Sequence, residues 1–313
     1  MIEKKTLAEQ YIKQNLEKSV VLPTHNDLID ARKYGLTILK FNPYAVYVKK
    51  INSKQRHLIM SNNNIESDKN LIEDLHKNFN FEFLLNLQLA TGMKFSKTEL
   101  QYVEEIQNTP KLKSKCMYEQ TYKASKTDFE SQLKDFKNRN ENVEIIPVSE
   151  VFTNDVIGKI AIAKKYNIRK YAIIFRSYKT YSANLSKFLS NLRVAGIKSI
   201  VFGICPTKWN KTNASMLLPP IRFKADYISS WIAWGGRATP VTLLCDDWTF
   251  KDLDNSDEGF IVYDGKDRKQ IITNKTSMTF NTSFKKIDTI NQANMLCRAI
   301  KPLRKVQFES LFD

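Results

Sequence analysis

Short apolar, β-branched runs alternate along this chain with longer stretches in which apolar residues recur every three or four positions, the pattern of strands followed by amphipathic helices. The second half shows it most regularly. VEIIPVSE (143–150), YAIIFRSY (171–178), SIVFGICP (199–206) and ADYISSWI (225–232) read as four strands that begin 26 to 28 residues apart. That spacing accommodates one strand, one helix and two short loops. Between them, Thr153 or Asn154 is placed to cap a helix that Asn167 closes. Ser182 is placed to cap another, with Leu185, Phe188, Leu189 and Leu192 on one face and Gly196 at its end.

The first half is less regular. Its strand candidates are VVLPTH (20–25), AVYVKK (45–50) or RHLIMS (56–61), FEFLLNLQL (81–89) and KCMYEQTY (115–122), with helical patterns at 68–78, 97–108 and 127–139. Eight strands in βα units predict an α/β fold, a (β/α)8 TIM-like barrel over residues 1–240, rather than an open doubly wound sheet. After residue 240 the pattern changes. VTLLCDDWTF and GFIVYDG read as hairpin strands and INQANMLCRAIKPLRKV as a closing helix, which predicts a C-terminal α+β appendage over 241–313.

Composition narrows the class. Hydrophobic residues make up 42% of the 313 and charged residues 26%, as in a folded globular protein. The polar N-terminal stretch and the lack of a long apolar run predict a cytoplasmic protein without a membrane span. Four scattered cysteines and three histidines suggest neither a disulfide framework nor a local zinc site, and no cofactor is expected.

Charge adds a partner. The net charge is +16, and no acidic residue lies between Asp155 and Asp226, where fourteen lysines and arginines fall. Such a segment, 156–225, predicts a basic face for a polyanion, most simply nucleic acid, either DNA or tRNA. Lys179, Lys208, Lys211, Arg222 and Lys224, interleaved with Tyr178, Tyr181 and Trp209, are the candidate nucleic-acid contacts. A protein partner is a further expectation.

In a barrel, chemistry belongs at the C-terminal ends of the strands. The acids near those ends are Glu150 and Asp226, with Asp155 just beyond one, and His25 is the histidine near a strand end. The order YAIIFRSY, helix, SIVFGICP, ADYISSWIAWGG resembles the second half of the tRNA-guanine transglycosylase superfamily, in particular the branch that inserts 7-deazaguanine bases into DNA. The resemblance covers about a third of the chain. It implies base exchange in DNA or tRNA, a pentosyl transfer, with Arg176, Ser177 and Gly203 holding the base and the catalytic position falling at Asp226 or Ser229.

The chain departs from that pattern. Where the family has Asp-x-x-Asp, Asp226 is followed three positions on by Ser229, and alternation puts the two on opposite faces of a strand. The family's Asp-Ser-Gly-Gly turn falls at Ser61, Asn62, Asn63 and Asn64, without its acid or glycines, and the zinc cysteines are missing. Two alternatives therefore stand beside an active transglycosylase: an inactive barrel that works as a nucleic-acid-binding or partner subunit, and a metal-dependent nuclease built on Asp246, Asp247, Glu258 and Asp264 with Lys266 or Lys269 nearby.

Overall fold

The computed structural model describes residues 19–34, 38, 42–51, 61–89, 95–109, 112–175, 178–203, 223–229, 261–263 and 270–272. Eight parallel strands follow one another around a ring: β1 (Val20–Leu22), β2 (Tyr44–Ile51), β3 (Glu82–Leu89), β4 (Ser114–Tyr118), β5 (Glu144–Glu150), β6 (Lys170–Phe175), β7 (Lys198–Gly203) and β8 (Tyr227–Ser229). Six of them form one hydrogen-bonded sheet in the order β1, β8, β7, β6, β5, β4, so that the first strand pairs with the eighth. The remaining two, β2 and β3, pair in parallel over their full length.

Two junctions join the pair to the sheet. Between β1 and β2 there is a single parallel bridge, Thr24 with Val46, where the Val46 amide donates to the Pro23 carbonyl at 2.8 Å. Between β3 and β4 a side chain does the joining. The Tyr118 hydroxyl donates to the Leu85 carbonyl at 2.7 Å and accepts from the Leu87 amide at 2.8 Å. Gln107, at the end of the helix that precedes β4, occupies the main chain of Cys116 instead of a strand neighbour, accepting from the nitrogen at 2.5 Å and donating to the oxygen at 3.0 Å. Closure of the ring makes the fold the expected (β/α)8 barrel.

The helices are α1 (His25–Tyr34), α2 (Asn62–Phe79), α3 (Lys97–Gln107), α4 (Lys126–Arg139), α5 (Val156–Lys165) and α6 (Tyr178–Ala195). Ser96 and Ser125 start α3 and α4 with capping boxes completed by Glu99 and Asp128. Asp155, rather than Thr153 or Asn154, caps α5, accepting from the Gly158 amide at 3.1 Å. A side chain at Gly158 would collide with that carboxylate, its Cβ lying 2.4 Å from Oδ2. Asn167 (φ 58°) and Gly196 (φ 74°) take the left-handed conformation after α5 and α6, as the sequence predicts.

Alternation sorts the strand residues into two layers. Met117, Ile145, Tyr171, Ile173, Val201 and Ile228 face α4, α5 and α6. Leu22, Val46, Leu84, Cys116, Ile146, Ala172, Ile200 and Phe202 fill the interior. Eight strands leave room only for such side chains, so the interior is packed and not a pore. Its N-terminal end is polar: Lys170 donates to Tyr44 Oη and Glu144, and Tyr227 meets the Tyr44 ring edge-on at 5.8 Å.

All of RHLIMS but Ser61, which precedes α2, lies outside the described residues, and AVYVKK is the strand. Beyond β8, β9 (Ile261–Tyr263) and β10 (Gln270–Ile272) pair antiparallel, which makes a hairpin of the GFIVYDG run. The expected boundary at residue 240 and the acids Asp246, Asp247, Glu258 and Asp264 lie outside the described residues. No described helix is long and apolar enough to cross a membrane.

Candidate active site

Toward the C-terminal mouth of the barrel, β3, β5, β7 and β8 each carry polar groups on or beside the interior face. Glu150 ends β5, sharing the inward alternation of Ile146 and Val148, and is buried at 4% exposure. Burial pushes the Tyr118 phenol well above its usual range, and nearby Cys116 and Glu150 add smaller pushes in the same direction. Asn86 lies on the face of β3 that carries Leu84, opposite Val48 of β2, and has no exposed surface. Neither its side-chain oxygen nor its nitrogen has a hydrogen-bond partner among the described residues. Leaving a buried polar group unpaired costs about 1–3 kcal/mol. Sequence reading passed over Asn86 because one amide in an apolar run has no motif around it.

Ser229 and Gly203 do meet at this mouth: the Gly203 amide donates to Ser229 Oγ at 2.9 Å. The hydroxyl is buried and has one lone pair engaged, and among the described residues it donates to no partner.

Asp226 is elsewhere. It precedes β8, at the opposite end of the barrel, and pairs with the first residues of β7. Its Oδ2 accepts from Ser199 N at 2.9 Å and Ser199 Oγ at 2.8 Å, and its own amide donates back to Ser199 Oγ at 3.0 Å. The expectation of Asp226 as a catalytic acid is corrected on this ground, because a strand's length of packed side chains separates it from the mouth. Lys224, expected as a nucleic-acid contact, lies on the same side, in the turn into β8 with φ 63°.

Tyr178, Lys179 and Tyr181 begin α6. Arg176, Ser177, Lys208, Trp209, Lys211 and Arg222 lie outside the described residues. The basic segment is not one continuous face. Lys159, Lys165 and Lys170 are each paired with a carboxylate from outside it, namely Glu119, Glu130 and Glu144.

Three further polar clusters look chemical but serve the architecture. His25 Nδ1 accepts from the Val48 amide at 3.1 Å, extending the β1–β2 junction by one rung, and burial lowers its pKa to about 4. The ring is therefore neutral, with its proton on Nε2. Asp68 of α2 gathers Tyr47 at 2.6 Å, Lys49 at 2.6 Å and Tyr102, fastening β2 to α2 and α3. Glu119 and the fully buried Lys159 pair at 3.0 Å between the sheet and α5, with Ser149 and Thr153 donating to the carboxylate. Desolvation raises the Glu119 pKa against the pull of the Lys159 ammonium. Cys116 is equally inert, since burial pushes its thiol up to about 12. No cluster of three metal-ligating side chains occurs among the described residues.

No known family's sequence profile matches this chain, and no curated protein matches it. Solved structures do. One is a putative dihydrodipicolinate synthase family protein from Coccidioides immitis, 11% identical, with a TM-score of 0.37 over 76% of this chain and 63% of that one. Another is the YdjI aldolase from Escherichia coli K12, 5% identical, with a TM-score of 0.40 over 93% and 94% of the two chains. Because the chain covers 63% of the first, it spans less than two thirds of that protein. Likeness at this level transfers no activity.

The transglycosylase resemblance is corrected here. The two solved structures named above are a synthase-family protein and an aldolase, and the acid that the resemblance placed at the catalytic position sits at the far end of the barrel. Base exchange with 7-deazaguanine and DNA or tRNA modification are set aside with it, and the inactive-subunit and nuclease alternatives gain no better support from these findings.

Proposed function

We propose that this protein binds a small polar metabolite in the mouth of the barrel, with Glu150 and Asn86 as its principal contacts. The observation that carries the reading is the Asn86 amide, fully buried on an interior face with both polar atoms unpartnered. An amide in that state matches a ligand group with both a donor and an acceptor, such as a hydroxyl or a carboxamide. Glu150 is the carboxylate suited to pair with an amine or to exchange a proton with a hydroxyl. Ser229 anchors the end of β7 through Gly203. A polyhydroxylated or amino-bearing compound is the ligand class that fits both groups.

The buried, reduced Cys116 suits a cytoplasmic setting, and the chain after residue 240 is assigned to an appendage on the barrel. The test is a thermal-shift panel of sugars, sugar acids and amino acids against the wild type, Asn86→Leu and Glu150→Gln. A ligand present at a hundred times its Kd stabilises by about 2.7 kcal/mol, a shift of several degrees. We expect such a shift in the wild type and its loss in both variants. A hit that survives both substitutions rules the site out.

A further inference from the structure

At the end of the barrel opposite the mouth, the N-terminal ends of β5, β6 and β7 open onto a groove of about 1000 Å³. Its walls carry Lys137, Lys164, Arg169, Lys170 and Lys198 against one carboxylate, Glu144, which Lys170 and Ser114 Oγ already engage. A smaller recess shares Gly196, Ile197 and Lys198 with it and adds Arg193 and Lys224, with Asp226 held by Ser199.

Lys164, Arg169 and Lys198 are exposed, and among the described residues their side chains form no ion pair or hydrogen bond. Lys164 lies in the last turn of α5, where a cation offsets the helix dipole. That account does not reach the other two. Arg169 and Lys198 lead into strands, the Lys198 amide donates to the Arg169 carbonyl at 2.9 Å, and Lys198 stands directly opposite Lys170. Like charges facing each other across a sheet are destabilising, and the one carboxylate at hand, Glu144, is taken up by Lys170, which leaves Arg169 and Lys198 as cations without a carboxylate of their own among the described residues. The groove is concave, which suits a strand of polymer rather than a bilayer plane. Its floor is built from Ile168, Gly196 and Ile197, and Gly196 has open space where a side chain would stand.

We infer that this groove is a nucleic-acid site, in which Lys164, Arg169 and Lys198 contact backbone phosphates without reading sequence. It is independent of the mouth and involves no chemistry on the bases. Phosphate neutralisation releases counterions, so binding must weaken steeply with salt, and each lost contact lowers the slope of log K against log salt by about 1.

The experiment is fluorescence anisotropy of labelled oligothymidylate and of a labelled duplex, from about 50 to 200 mM salt. It compares the wild type, the triple variant Lys164→Glu/Arg169→Glu/Lys198→Glu, and Lys208→Glu/Lys211→Glu. Melting temperatures establish that the variants are folded, and Lys164→Gln/Arg169→Gln/Lys198→Gln serves as a gentler second set. We expect the triple variant to lose at least tenfold in affinity and about 3 in salt slope, while Lys208→Glu/Lys211→Glu and Glu150→Gln retain both. The relative affinity for single strand and duplex identifies the form the groove accepts. No binding at the lowest salt, or a loss carried entirely by Lys208→Glu/Lys211→Glu, overturns the inference.

Discussion

Asp226 and Ser199 hold each other reciprocally: the serine's amide and hydroxyl both donate to one carboxylate oxygen, at 2.9 and 2.8 Å, and the aspartate's amide donates to the serine hydroxyl at 3.0 Å. The pair locks the start of β8 to the start of β7, next to the bond from the Val20 amide to the Asp226 carbonyl that brings β1 into the ring. Asp226 is thus a closure residue. Asp226→Ala removes two charge-assisted hydrogen bonds and should lower stability by about 2–3 kcal/mol. Chemical denaturation measures this, and the ligand found for the mouth should keep its affinity in the folded variant.

Gln107 supplies the peptide-like partner that β4 lacks on its β3 side. Gln107→Leu leaves the buried nitrogen and oxygen of Cys116 unpaired and should cost about 2–4 kcal/mol. Gln107→Glu keeps the acceptor and loses the donor. It should rank between the two in a urea titration at neutral pH.

His25 predicts a dependence on acid. Its pKa falls from 6.5 in the unfolded chain to about 4 in the fold, so below 6.5 the unfolded state binds the additional proton. Stability is fully present above pH 6.5 and declines as the pH falls toward 4, by about 3 kcal/mol for this group. His25→Asn retains an acceptor for the Val48 amide without the titration. Wild-type unfolding free energy should therefore fall relative to that of the variant as the pH drops from 6.5 toward 4, so that the two curves differ in slope across this window.

The sequence carried the ring of strands well, because a parallel sheet buried on both faces is written as apolar runs at βα spacing. Seven of the eight strands coincide with quoted runs, and the eighth was one of two alternatives. What periodicity does not encode is depth along a barrel strand. Asp226 and Ser229 are three residues apart, yet one finishes a turn at the base and the other a strand at the mouth. The charge run misled for a related reason: the carboxylates that neutralise Lys159, Lys165 and Lys170 come from elements earlier in the chain, invisible to any window along it. Glu150 was legible as the acid at a strand end. Asn86 was not, since only three-dimensional neighbours reveal a missing partner.

The two side-chain junctions have a mechanical consequence. β2 and β3 form a pair of staves whose outer edges are fastened by one bridge, a neutral imidazole and a phenol, whereas the other six are laced to one another by their main chains. Amide protons along the outer edges of that pair should exchange with solvent ahead of those in the six-stranded sheet. Asn86 rides on the looser pair and Glu150 on the tighter sheet. A molecule held by both would tie the cask shut, and deuterium uptake at Val48 and Leu87 would report its arrival.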